Sequence, residues 1–136
     1  MTFVSHSVLE TEKFAEDFAK DLKPGTVLAF FGGMGMGKTA FTRGLARGLG
    51  ITAQVQSPTF AIVNDYGKLA HFDMYRIESW DDLMTTGFFD YIDQGYILSV
   101  EWSENIENAL PDDAVKITIS QGKGENDRII EIEESK

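Results

Sequence analysis

TVLAFFGGMGMGKTAFTRGLARGLG, residues 26–50, holds three patterns end to end. Its first six residues, Thr26 to Phe31, form a short and almost wholly apolar run of the sort that fills a strand covered on both faces. A glycine-rich turn follows. After it, Phe41, Leu45 and Leu49 share one side of a helix that Gly50 is placed to cap. The turn itself, Gly32-Gly33-Met34-Gly35-Met36-Gly37-Lys38-Thr39, matches G-x-x-x-x-G-K-[ST]. Usual residue frequencies give about one accidental match in a few hundred chains of this length. An accidental match would rarely fall directly between a buried strand and an amphipathic helix, so the stretch reads as a phosphate-binding loop.

The chemistry accounts for each fixed position. Small residues let the backbone wrap a phosphate, and successive N–H groups from Gly33, Met34, Gly35, Met36 and Gly37 through Ala40 face inward at the positive end of the helix. Lys38 adds a cation for the β- and γ-phosphates, and the Thr39 hydroxyl is a magnesium ligand. The chain lacks an Asn-Lys-x-Asp sequence, the guanine-reading element of P-loop GTPases, so ATP with Mg2+ is the expected ligand.

Outward from the loop, Ser7 and Glu10 stand in capping-box spacing. Phe14, Ala15, Phe18, Ala19 and Leu22 recur with helical period before Pro24-Gly25, which predicts a first helix. Further strands are predicted at 60–65, 69–75, 96–101, 114–120 and 128–133, with short helices near 79–84 and 103–110. The last two strands, joined across Gly122-Lys123-Gly124, read as an antiparallel hairpin. The expected fold is α/β: a P-loop NTPase-like mixed sheet flanked by helices, ending in that hairpin.

With 136 residues the chain suits one domain, 1–136, and is short for two. Hydrophobic residues at 43% and charged residues at 25% favour neither disorder nor a membrane class. Met1–Lys20 lacks a basic start followed by an apolar stretch, and there is no cysteine, so a cytoplasmic protein without disulfides is expected. Charge is divided: residues 1–77 hold 8 basic and 7 acidic groups, residues 78–136 hold 4 and 15, for a net −10. That sign disfavours direct binding to DNA or RNA and leaves docking to a protein partner open.

A P-loop enzyme needs an acid at the carboxyl end of a neighbouring apolar strand. Glu101, which ends Tyr96–Val100, is the stronger candidate and Asp73, which ends Leu69–Phe72, the weaker. Ser57-Pro58-Thr59 supplies two hydroxyls in a stiff turn before a strand, a pattern suited to sensing a γ-phosphate. His71 has no second histidine at ligand spacing and reads as structural. Trp102 reads as a core anchor, and Arg43 and Arg76 as surface ion-pair residues.

Taken together, GGMGMGKTAFTRGLARGLG (32–50), SPTF (57–60), HFDMYR (71–76), VEW (100–102) and the Leu110-Pro111 turn before the closing hairpin resemble the TsaE (YjeE) family. These are bacterial P-loop ATPases required for threonylcarbamoyladenosine (t6A) in tRNA, and the resemblance covers almost the whole chain. It implies that Lys38 and Thr39 hold phosphate and magnesium, that Ser57 to Thr59 act as a switch, and that Asp73 and Glu101 serve the metal and its attacking water. Trp102 is implicated beside the site. It also implies a role beside TsaB and TsaD, with tRNA met only through that complex. The chain departs from the family pattern at Gly33, where an acid is common, at Met34 and Met36, where Leu and Ala are, and at Ala40, where Ser or Thr is. The alternative from another class is a small-molecule kinase using the same loop. It would need acceptor-binding machinery rich in arginine, and the chain has only four arginines, two of them on the loop's own helix.

Overall fold

The computed structural model describes residues 1–32, 37–56 and 62–134. The chain runs β1 (Thr2–Ser5), α1 (Val8–Ala19), β2 (Val27–Phe31), α2 (Lys38–Gly48), β3 (Val63–Asp65), β4 (Leu69–Asp73), α3 (Trp80–Met84), α4 (Phe88–Asp93) and β5 (Ile97–Glu101). A 3-10 helix (Ser103–Ala109), β6 (Val115–Gln121) and β7 (Arg128–Glu133) complete it. One seven-stranded sheet has the order β1-β7-β6-β2-β5-β4-β3. Its centre is parallel, β2 lying between β5 and β6 with β4 beyond β5. Its margins, β3 on β4, β6 on β7 and β7 on β1, are antiparallel. The expected mixed sheet with flanking helices and a terminal hairpin is what the chain forms.

Burial on both faces explains why residues 27–31 make the central strand. Leu28 and Phe30 point into one core layer with Phe41 and Leu45 of α2 and Ile117 and Ile119 of β6. Val27 points into the opposite layer with Phe72, Val100, Leu83, Phe88 and Ile106. Phe30, Phe41, Phe72 and Phe88 are all at 0% exposure. Removing each such ring from water contributes about 1.5–3 kcal/mol.

The first helix starts where the capping pattern places it: Ser7 Oγ accepts from the Glu10 amide at 3.1 Å, and the Glu10 carboxylate accepts from the His6 amide at 3.1 Å. It lies along α2 with very close backbones. Gly44 of α2 faces the Glu12 carbonyl and Gly48 faces that of Glu16, and a Cβ on either would fall 2.7 Å from Ala15 Cβ or Ala19 Cβ respectively. The edges of this contact are tied by ion pairs, Arg43 Nε to Glu12 at 3.2 Å, Arg47 Nη1 to Glu12 at 2.9 Å and Arg47 Nε to Glu16 at 3.2 Å.

Two elements were not legible in the sequence pattern. β1 is four residues long and exists through its antiparallel register on β7, Thr2 opposite Glu131 through Ser5 opposite Arg128. α4 has six residues, fewer than two turns, and is held by Phe88, whose ring meets Phe72 edge-on at 5.6 Å. Neither is long enough to establish a period. The segment predicted to be helical at 103–110 is helical, as a 3-10 helix with a kink at Ile106 (φ −127°, ψ 25°). The predicted start of the 60–65 strand falls partly outside the described residues, and the strand is seen from Val63.

Candidate functional site

The carboxyl ends of β2, β4 and β5 meet the amino end of α2, the junction at which open α/β sheets bind ligands. Gly32 (φ +108°) leaves the end of β2, and Gly37 (φ +94°) enters α2 as its N-cap, both in backbone conformations that a side chain disfavours. The residues between them, Gly33, Met34, Gly35 and Met36, lie outside the described residues, as do Ser57 and Thr59 of the expected switch. Thr39 and Ala40 occupy the first turn of α2, at the positive end of that helix.

Lys38 is only 4% exposed. Its Nζ donates to the Gly32 carbonyl at 2.6 Å and lies 5.7 Å from the centre of the Trp102 ring. Burial pushes the ammonium below its ordinary pKa, and the carboxylates of Glu101, Glu104 and Asp73 act against that shift. The cation is therefore desolvated, with three carboxylates close enough to act on it.

Asp73 and Glu101 stand side by side, since β4 and β5 pair in parallel with Asp73 opposite Glu101 and His71 opposite Ser99. Side chains two residues apart share a face, so His71, Asp73, Ser99 and Glu101 all face α2. Each is fixed differently. The Asp73 carboxylate accepts from the Tyr75 amide at 2.9 Å. The Ser99 hydroxyl lies 2.8 Å from that of Thr42, which in turn donates to the Lys38 carbonyl at 3.0 Å. Glu101, whose side chain is 14% exposed, has its Oε2 2.6 Å from His71 Nε2.

Trp102 follows Glu101 with a left-handed backbone (φ 59°, ψ 42°), the only non-glycine residue with positive φ among the described residues. That turn brings its ring 4.9 Å from Tyr75 and beside Lys38, in part on the core and in part on the site. Glu104, two residues further, accepts from the Gly32 amide at 3.4 Å. The sequence reading did not anticipate Glu104, the Thr42–Ser99 link or the His71–Glu101 contact. Period-two spacing from Asp73 to His71 and from Glu101 to Ser99 is the signal that would have put the latter two in the same row. Arg43 is in a surface ion pair, as expected, and Arg76 is exposed.

The family model described as "Threonylcarbamoyl adenosine biosynthesis protein TsaE" matches residues 5–130. The chain belongs to the TsaE family. It is 41% identical to the TsaE tRNA threonylcarbamoyladenosine biosynthesis protein of Bacillus subtilis strain 168, over 89% of this chain and 77% of that one. Identity to the TsaE proteins of Treponema pallidum and Aquifex aeolicus is 34% and 39%, covering 88% and 76% of this chain and 90% and 80% of theirs. The crystal structure of Bacillus subtilis YdiB superposes with a TM-score of 0.78 at 34% identity, covering 96% of this chain and 82% of that one. As a TsaE protein the chain has a role in the t6A modification of tRNA, and a phosphate loop agrees with that family's P-loop, nucleotide-binding character. Among the described residues, no helix is long and apolar enough to cross a membrane.

Magnesium takes hard oxygen ligands in octahedral geometry. Among the described residues, no group of three His, Cys, Asp or Glu side chains could hold a metal ion. What the site offers is a hydroxyl at Thr39 and the neighbouring carboxylates of Asp73 and Glu101, hard oxygen donors that suit magnesium bound partly through substrate phosphates. The donor set fits on those terms.

Proposed function

We propose that this TsaE-family chain binds Mg-ATP and hydrolyses it slowly, as an accessory ATPase that works with TsaB and TsaD in the cytoplasm and meets tRNA only through them. The observation that carries the reading is the desolvated Lys38 ammonium, held at the start of α2 and ringed by Glu101, Glu104 and Asp73. In this reading the amides from Gly33 to Ala40 cradle the phosphates and Lys38 neutralises the charge that develops on the γ-phosphate. Thr39 and Glu101 would hold the metal, which would supply charge neutralisation at the bound phosphates. Asp73 and Glu101 orient the attacking water, Ser57 and Thr59 sense the γ-phosphate, and Trp102 reports on it from beside Lys38.

The arginines argue for a slow enzyme and against a kinase. Arg43 and Arg47 are tied to Glu12 and Glu16 on the far side of α2. Arg128 is occupied at the hairpin loop, where it donates to Gln121, Glu125 and Asp127. That leaves Arg76, which is exposed, too little for a lid over a second substrate. P-loop proteins lacking a supplied arginine run roughly 10³–10⁵-fold below their stimulated rates, so turnover alone should be weak and should change when TsaB and TsaD are added. Hydrolysis measured alone, with both proteins and with a panel of small acceptors decides the matter; a phosphorylated acceptor with indifference to TsaB and TsaD would defeat this function.

Glu101→Ala is expected to leave the Mg-ATP dissociation constant within about fivefold while lowering kcat by roughly 10²–10⁴-fold, the span of a group that manages the reacting water. Calorimetric titration beside single-turnover hydrolysis checks this. Equal losses in binding and turnover would make Glu101 a structural residue.

A further inference from the structure

His71 is wholly buried, and its Nε2 lies 2.6 Å from Glu101 Oε2. Its other ring nitrogen, Nδ1, is buried and has no hydrogen-bond partner, the only side-chain nitrogen or oxygen so placed among the described residues. These two facts favour a ring hydrogen on Nε2 over one on Nδ1. A carboxylate only accepts, so the nitrogen that faces it donates. A hydrogen on Nδ1 would add a buried donor with nothing to receive it, which native interiors avoid.

The surroundings hold the ring still. His71 sits in the middle of β4, paired in register with Ser99 on one side and Asn64 on the other. Ser99 is itself locked to α2 through Thr42. The carboxylate on the other end of the contact is less enclosed, and among the described residues only its Oε2 has a partner.

We propose that His71 is a positioning residue for ATP hydrolysis: by donating from Nε2 to Oε2 it pins the Glu101 carboxylate in one orientation and leaves Oε1 as the single oxygen that faces the nucleotide side. The proposal rests on the assignment of Glu101 to the reacting water and metal made above. It gives the buried histidine of the HFDMYR stretch a purpose in the chemistry without contact to the nucleotide. Losing a residue that orients a ligating side chain in this way typically costs about 10–100-fold in activity.

Two variants of the full chain separate positioning from packing. His71→Leu fills a similar space with an apolar side chain and removes the donor, whereas His71→Gln keeps an N–H donor. His71→Leu should lower kcat by roughly 10–100-fold with KM for Mg-ATP within about twofold, and His71→Gln should recover most of that loss. Unchanged kcat in His71→Leu, or equal loss in both variants, would overturn the proposal. A readout independent of activity is the long-range nitrogen–hydrogen correlation spectrum of wild-type protein labelled with 15N-histidine. It should place the His71 hydrogen on Nε2, with a resonance that shifts in Glu101→Gln. A hydrogen on Nδ1, or no response to that substitution, would also overturn the proposal, whether or not the variants fold. Absence of ATP hydrolysis in every form would remove the ATPase reading instead, and the spectrum would still decide whether the histidine holds the carboxylate.

Discussion

Lys38→Ala is expected to weaken Mg-ATP binding by roughly 100-fold and to remove the thermal protection that nucleotide gives, while leaving the stability of the free protein almost unchanged. The first half follows from charge. A charged hydrogen bond contributes about 1.5–3 kcal/mol, and the upper end of that range, suited to a water-poor site, corresponds to about two decades in affinity. The second half follows from burial. Lys38 is 4% exposed, and burial lowers its pKa, so the free protein carries a cost for holding this cation. The hydrogen bond to the Gly32 carbonyl and the nearby acids offset that cost. Removing the side chain deletes both sides of the balance, so the free protein should change by no more than about 1 kcal/mol. Titration calorimetry and thermal melts with and without Mg-ATP measure the two halves separately. Affinity within about threefold of the wild type would remove Lys38 from the phosphate site.

The largest effect on stability is expected at a residue with no side chain. Gly44 lies where α2 touches the backbone of α1, and a Cβ there would run into the Glu12 carbonyl and fall 2.7 Å from Ala15 Cβ. Neither neighbour is the flexible end of a long side chain, so relief requires the helices to separate. Alanine is favoured over glycine inside a helix by about 1 kcal/mol, yet Gly44→Ala should destabilise by about 2 kcal/mol because overpacking of this kind outweighs that gain. Gly44→Leu should cost more than about 3 kcal/mol and undock α1, a large fraction of the roughly 5–15 kcal/mol that holds a domain of this size together. Urea unfolding gives both values. A Gly44→Ala protein as stable as the wild type would mean that the two backbones do not approach this closely in solution. Gly48, which faces Glu16 and Ala19 one turn later, should respond in the same direction.

These two residues show what kinds of information lay in the chain itself. Lys38 stood out in the sequence because the role proposed for the loop is local. The turn, the cation and the helix start occupy consecutive residues, and a phosphate imposes nearly the same spacing on any backbone that wraps it. The apolar run of β2 and the capping of α1 were readable for the same reason, since each is settled within a few residues. Gly44 was not readable as a contact point. A glycine in a helical pattern looks like a mild defect until the partner helix is known.

The site divides along the same line. Glu101 and Asp73 stood out as acids at the ends of apolar runs, and the structure does bring them side by side, one on each of two adjacent parallel strands. That His71 reaches Glu101, that Glu104 reaches Gly32 and that Thr42 reaches Ser99 depended on which strand lies next to which and in what register. Strand order is set by long-range pairing, and parallel neighbours such as β2, β5 and β4 are separated by long connections that leave no mark of their partner in the local sequence. The sequence alone determined the α/β class and the family, because each is written in short-range spacing. Only the tertiary structure decided the company that each polar group keeps at the strand ends, because hydrogen bonds a few ångströms long join residues that the chain itself holds far apart.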